Sequence, residues 1–240
     1  MTHLYLIRHG EAISAVKRTI SNTRLSPFGI QQAERLRDRL AASGEIAADV
    51  LIASTMLRAR HTAEIIAPAL GLPIIFDQEV EEWRDGEADD MSFDAYQQNF
   101  KAVPFDQKPF FHLAPGAESW TQFMFRVCNA LNRIIQEHAG KTIVIVCHGG
   151  VVDAAFFLFL GISTLQFPRA FFNTHNTSIT HWHTVSSEEW IPLPHAWLLE
   201  RYNDVMHLRD LNTPARIPWE GLAPYPAQGA DESEAPTEAQ

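Results

Sequence analysis

Three short segments carry side chains suited to handling a phosphoryl group: Arg8-His9-Gly10, Ser54 to Arg58, and His148-Gly149-Gly150. Phosphoryl transfer needs positive charge on the equatorial oxygens and a nucleophile in line with the leaving oxygen. Arginine suits the first task, because its planar fork can hold two oxygens at once. A neutral imidazole suits the second, being nucleophilic near neutral pH without a strong base beside it. Gly10 lets the backbone turn tightly and approach a ligand. The leaving alkoxide also needs a proton, for which a carboxylic acid held partly protonated by its surroundings is the usual donor. Taken alone, Arg-His-Gly reads equally well as a turn at a strand end, so the elements that position it must decide.

Those elements alternate. His3 to Arg8 reads as a buried strand, and Ser26-Pro27 as a helix start, with Ser26 as N-cap and Pro27 in the first helical position. That helix runs to Ser43-Gly44 with Ile30, Ala33, Leu36 and Leu40 on one face. A second strand spans 49–53. Ser54 is expected to cap the next helix, which carries Leu57, Ala63, Ile66 and Leu70 and ends at Gly71. A third strand covers 73–76. Residues 77–118 are irregular and polar, with one short helix over 92–100, and a longer helix follows over 119–138. Thr142 to Cys147 is β-branched and apolar on both faces, as a central strand of a parallel sheet should be. After His148-Gly149-Gly150 comes an apolar helix to Gly161, then strands over 177–185 and 196–202. The order predicts a three-layer α/β/α sandwich with a mainly parallel central sheet. In such folds ligands sit beyond the carboxyl ends of the strands. That topology alone gathers Arg8, His9, Arg58 and His148 at one edge.

Composition narrows the partners. The chain has 240 residues, 46% hydrophobic, with a formal net charge of -10. That balance disfavours nucleic acid, whose phosphate backbone demands a basic surface, but leaves room for a small phosphorylated substrate held by a few local arginines. The longest apolar run, near Ala154 to Leu160, falls far short of the roughly 20 residues a membrane span needs. No secretory signal is visible at the N-terminus, and Cys128 and Cys147 form no disulfide framework, so a cytoplasmic location is expected. The chain divides into a catalytic unit, 1–212, and a loosely ordered tail rich in Pro, Ala and Glu, 213–240. Cys147 and His148 are strand neighbours pointing to opposite faces and cannot form a Cys–His pair. His181 and His183 share a strand face but lack further ligands at fixed spacing, so no metal and no other cofactor is expected.

Six ordered blocks resemble those of the histidine phosphatase superfamily, the phosphoglycerate mutase-like enzymes: LIRHGE at Leu6 to Glu11, LSPFGIQQA at Leu25 to Ala33, STMLRARHTA at Ser54 to Ala63, VEEWRDGE at Val80 to Glu87, PGAES at Pro115 to Ser119, and VCHGG at 146–150. The resemblance implies that fold and a phosphohistidine mechanism. It makes His9 the nucleophile, Arg8 and Arg58 the clamp on the phosphoryl oxygens, and His148 a hydrogen-bonding partner of the phosphoryl group. Glu82 becomes the general acid and later the base for water. Glu82 is selected over Glu81 because Val80 lies two before it and Gly86 four after, with Glu81, Asp85 and Glu87 close by. Ser14, standing where the family carries Asn, and Gly149 complete the substrate-binding set.

The departures favour a particular branch of activity. The mutases carry an arginine- and proline-rich segment after the acid that grips a carboxylate. Here Met91 to His112 holds only Lys101 and Lys108 and is rich in aromatics. The expectation is a metal-independent phosphomonoesterase acting on a small phosphorylated metabolite. The aromatics are compatible with a leaving group bearing a ring, or with simple closure of the loop over a core. A phosphoglycerate mutase, and a non-catalytic phosphate- or phosphopeptide-binding module on the same fold, are the competing readings. Lys17, Arg18 and Arg24 are either solvated or contacts to a second anionic group.

Overall fold

A computed structural model describes residues 1–185 and 196–211. Its strands are β1 (His3–Arg8), β2 (Val50–Ser54), β3 (Ile74–Asp77), β4 (Thr142–Cys147), β5 (Ile179–Thr184) and β6 (Trp197–Asp204). Its helices are α1 (Ile13–Lys17), α2 (Pro27–Ser43), α3 (Leu57–Leu70), α4 (Phe93–Lys101), α5 (Trp120–Glu137) and α6 (Gly149–Leu160). The six strands form one sheet in the order β3-β2-β4-β1-β5-β6. The pairs β3–β2, β2–β4 and β4–β1 are parallel, while β5 runs antiparallel to both β1 and β6.

The sandwich follows from the two-residue period of its central strands. Ile143, Ile145 and Cys147 of β4 join Leu4 and Leu6 of β1 in a core covered by α5 and α6. Val144 and Val146 join Tyr5 and Ile7 in the opposite core, with Leu36 and Leu40 of α2 and Ala63 and Ile66 of α3. A strand sealed on both faces has to be apolar throughout, and Ile143 through Cys147 are all at 0% exposure.

Ser26 caps α2 as expected, its hydroxyl accepting from Gly29 N–H at 3.0 Å, and Pro27 opens the helix. Ser119 caps α5 in a reciprocal capping box with Gln122. Ser54 corrects the reading of the sequence. It is the last residue of β2, and Met56 stands at the N-cap of α3 without a side-chain bond. The register pairs Ser54 with Asp77 in the sheet, which carries the strand one residue further than its apolar run. Short α1, directly after the Arg-His-Gly turn, has no strong periodic signal in the sequence.

No helix among the described residues is long and apolar enough to cross a membrane. The expected tail, 213–240, lies outside the described residues.

Candidate active site

Register places the ends of three strands in a row. Arg8 at the end of β1 pairs with Cys147 at the end of β4, and β2 lies on the other side of β4. His9 follows directly, its N–H donating to the Cys147 carbonyl at 2.9 Å. The turn is then clamped against α2. Glu11 N–H donates to Gln32 Oε1 at 2.9 Å, and Ser26 Oγ donates to the Glu11 carboxylate at 2.6 Å. Gly10 and Gly29 meet backbone to backbone: a Cβ on Gly10 would stand 2.6 Å from the Gly29 carbonyl oxygen. The Ser-x-x-Gly-x-x-Gln spacing therefore has a physical reason, since it puts a cap, a contact point and an amide under one loop.

His9 is buried and its ring is oriented from both sides. Nδ1–H donates to the Gly10 carbonyl at 2.6 Å, and Arg58 Nε–H donates to Nε2 at 3.1 Å. This tautomer leaves the lone pair on Nε2, the nitrogen facing Arg58. Burial, and then the Arg58 charge, push the His9 imidazolium down to about 3, so the ring is neutral throughout the physiological range. Arg58 is held in place through Thr62, whose hydroxyl donates to the Arg58 carbonyl at 2.8 Å and accepts from Gly10 N–H at 3.1 Å. Arg8 donates from Nη1 to the Thr174 carbonyl.

His148 sits beside His9, ring centroids 5.1 Å apart, and is fully buried. Its Nε2 is 2.8 Å from Ser54 Oγ. Burial and the neighbouring Arg58 hold it well below its usual value, hence neutral. Gly149 opens α6 under Arg8, where a Cβ would lie 3.8 Å from the guanidinium carbon.

Glu82 arrives from the loop after β3. Its carboxylate accepts from Gly150 N–H at 3.1 Å, in the first turn of α6, and from its neighbour Trp83 N–H at 3.2 Å. The approach is possible only because residue 150 lacks a side chain: a Cβ there would fall 2.2 Å from Glu82 Oε1. Glu81, also on the pocket wall, is bonded instead to Thr55 Oγ1 and, at 3.0 Å, to Arg84 Nε. Asp85 shares the pocket with Glu82 and Arg58, and burial together with the Glu82 charge pushes its carboxyl up to about 7.

The pocket between these groups measures about 520 Å³ and is lined by Arg8, His9, Ser14, Arg58, Glu82 and Asp85 among others. His148 and Gly149 lie behind that wall rather than on it. Of the aromatic segment only Phe93 reaches the pocket. Phe100 packs on Trp83, Tyr96, Phe111 and Phe167, and Phe105 on Phe167, so these rings close the loop over the core. Arg18 pairs with Asp94 at 2.7 Å and Arg24 with Glu64 at 3.5 Å, both on the surface.

Two positioning groups escape a reading of the sequence. Arg126 of α5 donates to the backbone carbonyls of Glu79, Glu81 and Glu82 at 2.8, 3.1 and 3.2 Å. Glu118 neutralises it at 2.6 Å and also accepts from Arg84 N–H at 3.1 Å. One ion pair thus pins the whole acid loop. The available signal was a charge on the apolar stripe of α5, beside Phe123 and Val127. Ser54 is the second group, hidden by its expected role as a helix cap.

The sequence matches the family described as "Histidine phosphatase superfamily (branch 1)" over residues 4–193. This chain belongs to the histidine phosphatase superfamily. It is 29% identical over 217 residues to "Phosphoglycerate mutase-like protein 4" of Arabidopsis thaliana, covering 86% of this chain and 87% of the relative. It is also 29% identical to "Probable phosphoglycerate mutase GpmB" of Escherichia coli O1:K1, over 87% of this chain and 95% of that one. Among solved structures, YhfR of Bacillus stearothermophilus superposes with a TM-score of 0.69 at 28% identity, over 87% of this chain and all of that one (100%). A phosphoserine phosphatase from Entamoeba histolytica shares the fold, with a TM-score of 0.67 at 22% identity, over 87% of this chain and 100% of that one. These members include proteins named as phosphatases and as mutases.

Proposed function

We propose that the protein is a metal-independent phosphomonoesterase working through a phosphohistidine on His9, with a small phosphorylated metabolite as substrate. The observation that carries this is the His9 ring: Nδ1–H is tied to the Gly10 carbonyl, and Nε2 carries its lone pair beside Arg58. Nε2 attacks phosphorus while Arg8 and Arg58, both on the pocket wall, take up the charge on the phosphoryl oxygens. Ser14, buried at the start of α1 and on the pocket wall, offers a hydroxyl, and Gly149 opens α6 beside Arg8. Glu82 protonates the leaving oxygen and afterwards takes a proton from the attacking water.

Hydrolysis is favoured over mutase chemistry by the pocket mouth. Beyond the clamp it carries Glu81, Glu82, Asp85 and Asp89. Its remaining cation, Arg84, is paired with Glu79 and Glu81. Lys108 lies over the Phe100 ring, 5.0 Å from its centroid, away from the pocket. A mutase must hold the carboxylate of phosphoglycerate, and beyond Arg8 and Arg58 the described pocket lining offers it no cation that is not already paired. The names of the relatives favour the mutase reading, so the test separates the two. Purified enzyme treated with EDTA is expected to release phosphate from monoesters through an acid-labile, base-stable phosphoenzyme. Interconversion of 3- and 2-phosphoglycerate without net phosphate release would establish the mutase instead, and absence of any phosphoenzyme would leave a binding module.

A further inference from the structure

The Arg8-His9 turn is also gripped by a segment that takes no part in the chemistry above. β5 enters the sheet antiparallel to β1, so the residues just before it lie beside that turn. Asn176 Nδ2–H donates to the His9 carbonyl at 2.8 Å. Thr177 N–H is shared between the carbonyls of Arg8, 2.9 Å, and His9, 3.3 Å, and Arg8 N–H donates to the Ser178 carbonyl at 3.2 Å. The His9–Gly10 peptide is therefore fixed at both ends, its carbonyl by Asn176 and its N–H by the Thr62 hydroxyl at 3.1 Å. The next carbonyl along, that of Gly10, is the one that receives His9 Nδ1–H.

This grip depends on a strained residue. Thr177 is fully buried at φ +56°, a left-handed conformation that a β-branched side chain rarely adopts. Such strain persists only where the surroundings over-determine it, and here they do. Thr177 Oγ1 donates to the Asn176 carbonyl at 2.8 Å and lies 3.0 Å from Nε2 of His207, just past β6. Asn203 of β6 ties down the residues before it. Its Oδ1 accepts from His175 N–H at 2.7 Å, and its Nδ2–H donates to the Asn173 carbonyl at 2.9 Å. Asn203 itself stands at φ +53°, where the β5–β6 register shifts as at a β-bulge, a device that re-aims a side chain.

We propose that Asn176 is a positioning residue for the nucleophile, aimed by the strained Thr177 that His207 and Asn203 hold in place. This rests on the phosphohistidine reading above. Asn176 is not on the pocket wall and touches no reacting atom. By holding the His9 carbonyl it sets the plane of the His9–Gly10 peptide, and with it the direction of the Gly10 carbonyl that receives Nδ1–H. Nδ1 and Nε2 belong to one rigid ring, so fixing Nδ1 aims the Nε2 lone pair. The left-handed residue turns the chain between Asn176 and β5, so that the amide of one residue and the N–H of the next reach the same carbonyl. Arg58 keeps the proton off Nε2, and Asn176 keeps the ring pointed.

The experiment compares Asn176→Ala, Thr177→Val and Thr177→Gly with the wild type. It reads steady-state kinetics on an aryl phosphate and the proton NMR signal of His9 Nδ1–H, identified by its absence in His9→Ala. Asn176→Ala is expected to lose on the order of 10- to 100-fold in kcat with KM within about two-fold, because a loosened nucleophile is felt in the transition state rather than in binding. Its Nδ1–H signal, far downfield while the proton sits in a 2.6 Å hydrogen bond, is expected to move upfield or to be lost to exchange. Thr177→Val keeps the shape and the strain but not the hydroxyl that anchors them, and is expected to lose about 10-fold in kcat. Thr177→Gly adopts the left-handed conformation freely and keeps the N–H, so it is expected to lose several-fold less than Thr177→Val. Wild-type kcat in Asn176→Ala would overturn the proposal, as would a loss of activity with the Nδ1–H signal unmoved. Equal kcat in the two Thr177 variants would overturn it as well, and that pair decides the matter if Asn176→Ala does not fold. Labelling of the wild type with a radioactive phosphoryl donor keeps the two readings apart. No phosphohistidine would defeat the reading of His9, whereas a normal phosphoenzyme with an unimpaired Asn176→Ala would defeat only that of Asn176.

Discussion

Strand β1 carries an imidazole at each end, and the two ends differ. At the amino end, His3 Nδ1 lies 3.0 Å from His181 Nε2, and His181 stacks on Tyr5 with centroids 3.9 Å apart. His183 completes the group, 5.6 Å from His3 and 5.8 Å from His181 between centroids. Just past the carboxyl end stands His9 beside His148. Burial keeps an imidazole of each set neutral: His181 is pushed down to about 4, by burial and then by His3 and His183, and His9 to about 3, by burial and then by Arg58. Neutral imidazoles are therefore common to both ends and cannot by themselves mark a site. The carboxyl end adds two arginines, two carboxyl groups and a pocket. The histidines at the amino end face one another and Tyr5, and His183 Nε2 lies 3.6 Å from the carboxylate of exposed Glu200. The difference comes from topology, because loops after parallel strands converge at their carboxyl ends.

The largest test of this contrast exchanges the two ends. His9→Ala removes the nucleophile and is expected to lower kcat by about 10³-fold or more, while His181→Ala leaves kcat and KM within about two-fold. Steady-state kinetics on one phosphate ester checks both, and a comparable loss in His181→Ala would erase the distinction between the ends. A smaller effect is expected from Gly150→Ala. The added methyl meets Glu82 Oε1 and the Phe123 ring, displacing the Glu82 carboxylate from its seat, and a displacement of that kind costs on the order of 10- to 100-fold in kcat. Unchanged kinetics with a retained circular dichroism spectrum would mean that Glu82 does not need this seat.

The smallest effect concerns stability and pH. An unfolded histidine takes up its proton near pH 6.5, whereas folded His181 resists until about 4 and His9 until about 3. As pH falls through that window the unfolded chain binds more protons than the native one, so stability declines. His207, also lowered to about 4, acts in the same direction. The melting temperature is therefore expected to drop between pH 7 and pH 4.5, and His181→Asn to make that drop shallower without abolishing it. A drop as steep as in the wild type would show that the amino-end cluster is not linked to folding.

Much of this was legible in the sequence because its signals are local. Strand β4 announces itself by an unbroken β-branched run, α2 by Ser26-Pro27 and its apolar spacing, and α5 by helical spacing from Ser119. The rule for parallel sheets then gathers Arg8, His9, Arg58 and His148 at one edge without any coordinates. Ser54 was misplaced because a serine before a helix and a serine at a strand end look alike until the neighbouring strand is in register. Arg126 was overlooked because its partners, Glu118 and three loop carbonyls, are brought to it only by packing.

The amino-acid order by itself determined the layered sheet, the edge at which chemistry gathers and the residue types present there, since period, capping and turn chemistry act over a few neighbours. Tertiary structure decided the rest: which nitrogen of His9 carries the lone pair, which of three nearby acids meets the α6 terminus, and which one Arg84 holds. Those outcomes depend on distances of about 3 Å between groups far apart in the chain, and such distances exist only once separate elements have packed together.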